Sequence, residues 1–437
     1  MARTAKLTAA PSGWAAAAAI TRWPRRHVIV ALTFLGCVIA YTDRVNISVA
    51  AVAMKEHLGW SQTQKGVVLA AFFLGYLSFM FLAGLLARRF GGKRVVGYSV
   101  LAWSIFTLLT PAAAVFSIPV LIAARVAMGV GEAGMYPATY ELFGRWVIPT
   151  ERGRAVALMT SGVSAGTVIG LMGSGWLVQR YGWPAPFYVF GAIGLAWLVL
   201  WVRQVGNDPA GDSRLSAGER VLLAAWQPTT DAVQRMPLRR LLFRAPVAGI
   251  VAGHVAFTWT LYVLLSWLPS YFRDVQHLSI ANSGLFSAAP WLTMFAVGNV
   301  SGVLADRMIQ RGVSVTATRK LMQCGALVVS AALLLALREA HSPAAALTLL
   351  CGATGALACT SAGHMPIYLD IAPRDCAVLW AFGNSFATIP GIVGVAVTGW
   401  LVDISGAYSA AFVLTAVVSA IGAGLFGLLA DARPMGD

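Results

Sequence analysis

Four ionisable side chains interrupt long apolar stretches of this chain: Asp43 and Arg44 in one, Arg125 and Glu132 in another. Inserting such a group into a bilayer core costs roughly 2.5–3.5 kcal/mol, so each demands a structural or a functional reason. An arginine keeps its charge and offers a planar fork that matches a carboxylate or phosphate bidentately, which makes Arg44 and Arg125 candidate ligands for an anion. A carboxyl group near a membrane midplane can exchange a proton as a cavity alternately wets and closes, so Glu132 first and Asp43 second are candidates for proton coupling. Arg125 and Glu132 are about two helical turns apart and therefore share a helix face. The plain alternative is that the four groups only pair with one another to hold two helices together. Both can be true in different states, because an ion pair broken by a ligand is also a switch.

Positioning these groups takes helices that cross a membrane. With 58% hydrophobic and only 11% charged residues, the 437-residue chain is too apolar for the two or three soluble domains its length would allow. Apolar segments long enough to span lie near 27–50, 63–87, 93–113, 117–141, 154–178 and 184–204, and again near 245–272, 281–305, 319–337, 344–368, 377–401 and 407–430. The expectation is an all-α membrane protein of twelve transmembrane helices in two six-helix halves. Its boundaries are a tail over 1–26, one half over 27–204, a polar linker over 205–244, the second half over 245–430 and a short tail over 431–437. With both termini in the cytoplasm, the great majority of the 32 Lys and Arg fall on the cytoplasmic side. Clusters such as Arg88, Arg89, Lys93 and Arg94, or Arg239, Arg240 and Arg244, then mark topology rather than a nucleic-acid surface, despite a net charge of +15. The first helix enters near His27, so Asp43 and Arg44 are expected in its outer half. Arg125 is expected at a similar height, with Glu132 nearer the midplane.

An internal repeat supports two halves independently of hydropathy. GLLARRFGGKR from Gly84 has a partner in GVLADRMIQRG from Gly302, GWLV at Gly175–Val178 recurs at Gly399–Val402, and Ala155-Val156 answers Ala377-Val378. All three lie roughly 220 residues apart, in one register. Two six-helix halves related in this way form a carrier whose site lies between them near the midplane.

GLLARRFGGKR resembles the motif between helices 2 and 3 of the major facilitator superfamily, except that Arg88 stands where that motif has Asp. The second copy keeps Asp306 and Arg307, and the resemblance assigns any gating bridge to that pair. YTDRVNISVA (Tyr41–Ala50), ARVAMGVGEAGMYPA (Ala124–Ala138), FTWTLYVLLSWLPSYF (Phe257–Phe272), SGLFSAAPWLTM (Ser283–Met294) and YLDIAPRDCAVLWAFGNS (Tyr368–Ser385) are similar to the anion:cation symporter family within it. That family includes bacterial sugar-acid proton symporters, animal organic-anion transporters and plant phosphate-type transporters. The resemblance implies anion binding at Arg44 and Arg125 and proton coupling at Asp43 and Glu132. It implies further ligands at Tyr41, Tyr76, Ser361, His364 and Asn384. His364 replaces an aromatic residue common in sugar-acid members, and Val163 stands where many have Gln. Vesicular glutamate and sialic-acid members lack the acid before the first arginine, and the glutamate carriers' extra arginine on helix 7 corresponds to Phe257. Proton-driven uptake is thereby favoured over vesicular loading.

Other features carry bland readings. Cys37, Cys324, Cys351, Cys359 and Cys376 lack metal-ligand spacing and read as small packing residues. His254 reads as a buried neutral histidine with one hydrogen bond. GVGEAG lies inside an apolar run with no preceding strand, so it is no nucleotide fingerprint. The expected function is proton-coupled symport of a small organic anion, a sugar acid or other carboxylate, by alternating access. Phosphate uptake or anion exchange is the second reading, and a non-transporting receptor a distant third. No enzyme chemistry, cofactor, metal or nucleic acid is expected. The partners are the anion, protons and lipid, in an inner (plasma) membrane, with the chain working as a monomer.

Overall fold

The computed structural model describes residues 23–206, 208–224, 243–371 and 376–433. Most of the 1–26 tail, residues 207 and 225–242 of the expected linker, with Arg239 and Arg240, and residues 434–437 lie outside the described residues. Among the described residues all regular structure is helical, and twelve segments are long and apolar enough to cross a membrane.

The first six are α1 (Arg25–Leu58), α2 (Gln62–Phe90), α3 (Gly92–Phe116), the pair α4 (Ile118–Glu132) and α5 (Met135–Trp146), α6 (Pro149–Tyr181) and α7 (Ala185–Gln204). A short helix α8 (Ala217–Ala224) comes next. The second six are α9 (Ala245–Asp274), α10 (Ile280–Gln310), α11 (Val315–Ala336), the pair α12 (Pro343–Ala358) and α13 (His364–Ile371), α14 (Cys376–Ser405) and α15 (Ser409–Leu429). Most helices overrun the apolar windows of the sequence because polar caps, not hydropathy, end them. Gly59 stops α1 with φ 68°, and Ser61 and Gln64 form a reciprocal capping box at the start of α2. Two spans are broken. The fourth turns at Ala133 and Gly134, and the tenth passes through a 3₁₀ turn at Cys359–Ala362.

Small residues set which helices touch. Gly162, Gly166 and Gly170 recur every fourth position along α6, and a Cβ at each would collide with α1 around Phe34, Val38 and Thr42. The Thr42 hydroxyl also donates to the Gly166 carbonyl at 3.1 Å. Gly75 on α2 meets the Val126 carbonyl, and Gly129 on α4 meets that of Phe72. Lipid gives apolar side chains little reason to leave it, so such close backbone approaches supply the packing that holds α1, α2, α4 and α6 together. Across the two sets of six, α2 packs on α14, α6 on α10, and α1 on α9.

At the end where α1 begins, the chain clasps itself. The Glu219 carboxylate of α8 accepts the backbone N–H groups of Arg25 and Arg26, each at 3.0 Å, satisfying donors that a helix N-terminus leaves free. Arg26 then spans Glu219 and, at 2.8 Å, Glu151 at the start of α6. The Arg26 hydrogen bonds are the main reason the Glu151 carboxyl sits below the usual range.

Candidate functional site

Arg44 and Glu132 form a buried ion pair between α1 and α4, so two of the four intramembrane charges meet directly. The Arg44 guanidinium is caged by aromatic rings: Tyr41, Phe72 and Tyr76 have their centroids 4.5, 4.8 and 5.0 Å from its Cζ. It also donates to the Tyr41 hydroxyl at 3.3 Å. Cation–π contact of this kind compensates a guanidinium for lost water without neutralising it.

Arg125 is 1% exposed and has no carboxylate within salt-bridge distance among the described residues. Its Nη1 lies 3.0 Å from the Met128 thioether, its Nε has no partner, and its Cζ is 5.5 Å from the Phe72 ring. Phe72 is thus shared by both arginines. A thioether is a weak acceptor, so Arg125 retains most of its capacity to bind an anion. Glu132 keeps Oε2 free as well.

Asp43 is fully buried, with its carboxyl group beside the Trp103 indole N–H. Asp43 and Arg44 are neighbours in sequence but face different environments, Trp103 on one side and the aromatic cage on the other.

Since α1 runs from Arg25 to Leu58, Asp43 and Arg44 sit a few ångströms beyond its middle, on the side away from its start. Glu132 stands midway along the Ile118–Trp146 span, and Arg125 lies about 10 Å further out but folds its guanidinium back towards Met128. A small cavity lined by Arg44, Arg125, Phe72, Ser48, Leu265 and Ser266 joins the two arginines across the contact between α1 and α9. It is closed down to about the room of one water molecule.

The other sequence candidates do not all gather here. Tyr41 and Tyr76 belong to the cage around Arg44. His364, completely buried, forms a separate cluster in the second set of helices, where its backbone N–H and Nδ1 both lie 3.1 Å from Gln323 Oε1. Its ring stacks 4.5 Å from His254, which in turn lies 3.2 Å from the Tyr368 hydroxyl. Ser361 is exposed and bonds Ser301 at 3.0 Å, and Asn384 reaches Met80. Asp306 and Arg307 are exposed and have no ion-pair partner among the described residues. Sequence reasoning missed Phe72, Gln323 and Lys65. Phe72 lies one turn before Tyr76 and was recoverable from that spacing. Lys65, three residues into α2, is 1% exposed, with Nζ 2.9 Å from Ser270 Oγ and 4.6 Å from the centre of the Trp267 ring.

Comparison with known proteins gives a consistent picture. Residues 33–362 match the family described as Major Facilitator Superfamily. A protein of Oryza sativa subsp. japonica named "Probable anion transporter 4, chloroplastic" is 35% identical over 92% of this chain and 68% of its own length. In Arabidopsis thaliana, "Sodium-dependent phosphate transport protein 1, chloroplastic" is 35% identical over 95% of this chain and 81% of its own, and "Ascorbate transporter, chloroplastic" 34% over 95% and 77%. Among solved structures, an inward-facing, occupied bacterial homologue of the human lysosomal transporter Spinster superposes with a TM-score of 0.75 at 18% identity, covering 93% of this chain and 97% of that one. A D-xylose–proton symporter gives 0.71 at 14%, covering 93% and 99%.

Proposed function

Because this chain belongs to the Major Facilitator Superfamily and is a multi-pass transporter of anions, we propose that it carries a small organic anion, a sugar acid or other carboxylate, together with protons by alternating access of its two six-helix halves. The observation that carries this reading is Arg125, a buried cation with no carboxylate in salt-bridge reach among the described residues, facing the same cavity as Arg44. Arg125 gives an incoming anion its first contact. Arg44 is held by Glu132, and protonation of Glu132 releases it to complete a two-arginine clamp. Anion and proton therefore favour one another: an anion that spans both arginines draws Arg44 away from an ionised Glu132, and a proton on Glu132 leaves Arg44 in need of an anion. Asp43 is the second proton-carrying group. Ser361, His364 and Asn384 are proposed to meet the anion from the other half once the halves rearrange, and Asp306 and Arg307 to gate the end that bears the termini.

That end is assigned to the cytoplasm of an inner (plasma) membrane, which puts most Lys and Arg inside. A second reading is phosphate uptake or anion exchange. It is favoured by the relative named as a phosphate transport protein, and a two-arginine clamp suits phosphate as well.

Uptake into proteoliposomes separates them. Labelled hexonates, hexuronates, aromatic acids, ascorbate, glutamate and phosphate are offered with and without an inward proton gradient. Accumulation of a carboxylate that rises with the gradient is the expected result, and uptake of every anion indifferent to the gradient overturns proton symport.

A further inference from the structure

The GWLV repeat has a structural counterpart that the anion site does not use. Gly175 on α6 and Gly399 on α14 occupy the same place in the two copies, and each lies against the first turn of a helix from the opposite half. A Cβ on Gly175 would stand 3.1 Å from the Ala281 carbonyl oxygen of α10, and one on Gly399 would run into the Gln62 carbonyl of α2. The tryptophans next in sequence, Trp176 and Trp400, are 58% and 52% exposed, turned outward alike, while Val178 and Val402 are buried.

Four residues after each glycine comes a hydrogen-bond acceptor. Gln179 accepts from the Ala281 N–H at 3.1 Å. Asp403 accepts from the Gln62 N–H at 2.9 Å, the Thr63 N–H at 2.6 Å and the Thr63 hydroxyl. The receiving helices are prepared in the same way. Ser61 caps the Gln64 N–H of α2, and Ser279 caps the Asn282 N–H of α10, so the local serine takes one orphan donor. The preceding N–H groups are left for an acceptor from across the interface.

We infer that Gly175 with Gln179, and Gly399 with Asp403, form a pair of latches that close the outer end of the carrier, each capping a helix of one half from the other. The glycine admits the partner helix and the acceptor four residues on locks it. The two are unequal. Gln179 makes one neutral bond, whereas Asp403 makes three charge-assisted bonds and is reinforced by Asp274, which accepts from Gln62 Nε2 at 3.0 Å and from the Tyr408 hydroxyl at 2.7 Å. Lys65, sealed under the Asp403 latch between Ser270 and Trp267, is buried only while that latch is shut.

The inference rests on the alternating-access reading, but its test needs no transported anion, so its failure and the failure of that reading are told apart. The reconstituted full-length protein is treated with a membrane-impermeant N-hydroxysuccinimide ester, and modification of Lys65 is read by peptide mass spectrometry against Lys55, half-buried near the same end. In the unaltered protein Lys65 reacts far less than Lys55. Asp403→Ala raises the Lys65 to Lys55 ratio at least about fivefold and Gln179→Ala about twofold, in keeping with charge-assisted against neutral bonding. Thr63→Val, which removes one of the three donors, gives an intermediate rise, and Asp403→Asn carries the test if Asp403→Ala does not fold. Equal reactivity of the two lysines in the unaltered protein, or an unchanged ratio in folded Asp403 and Thr63 variants, overturns the latch.

Discussion

Replacing Glu132 by Gln separates binding from coupling. Glu132 is paired with Arg44, and an anion that takes Arg44 must share it with a carboxylate of like charge. Two unit charges about 5 Å apart at an effective dielectric constant of about 20 repel by about 3 kcal/mol, a little over a hundredfold in affinity. Gln keeps the shape and one acceptor for Arg44 but removes that repulsion at every pH. Anion affinity at neutral pH should therefore rise between about tenfold and a hundredfold, part of the gain being spent on parting Arg44 from the new amide. Affinity in the unaltered protein should fall as pH rises and Glu132 ionises, whereas in the variant the dependence should be shallower, carried by Asp43 alone. Calorimetry with the anion identified by uptake, at acid and alkaline pH, reads both effects. Counterflow in proteoliposomes should survive while gradient-driven accumulation disappears. Binding weaker than in the unaltered protein would make Glu132 a ligand or a structural residue, and accumulation that persists would remove it from coupling.

Arg125→Ala should cost anion affinity about 2–5 kcal/mol, since among the described residues the arginine has no carboxylate within salt-bridge distance; a calorimetric titration with unchanged affinity would take it out of the site. Gly129→Val should push α4 away from Phe72 and lower thermal stability by about 3 kcal/mol or more, read as an early melting transition in detergent; an unchanged melt would mean that the α2–α4 approach does not limit packing. The Glu151 carboxyl, lowered chiefly by the hydrogen bonds from Arg26, stabilises the clasp fully above the ordinary carboxylate range and loses that contribution as pH falls through its depressed value. Hydrogen exchange in α8 should accordingly stay slow at mildly acid pH and quicken only below about pH 4, and exchange already fast near neutrality would refute the clasp.

The twelve spans were legible because a bilayer demands long apolar runs and leaves no cheap alternative to a helix. Charged residues inside those runs were equally visible, which is why Asp43, Arg44, Arg125 and Glu132 emerge without any structure. Their partnerships were not. Nothing in the spacing of Arg44 and Glu132 says that they pair while Arg125 turns to Met128, because that depends on how α1, α2 and α4 pack. Hydropathy also ended α1 too early, since the residues up to Leu58 are polar enough to leave an apolar window yet continue the helix to Gly59. The interruption at Ala133 and Gly134 falls among Gly129, Gly131, Gly134 and Pro137, a composition that allows close packing and bending. His364 went to a cluster with Gln323 and His254 because the 3₁₀ turn at Cys359–Ala362 redirects the helix beyond it, and a turn of that kind inside an apolar stretch has no clear signature.

The Arg44–Glu132 pair, Arg125, the Tyr41 and Tyr76 cage and Asp43 are all drawn from α1 to α4, in the first third of the chain. The groups proposed to bind the anion and its proton are therefore inherited as one contiguous stretch of gene. A chimera that joins this stretch to the C-terminal half of a relative should keep its appetite for protons and change mainly in the shape of anion it accepts.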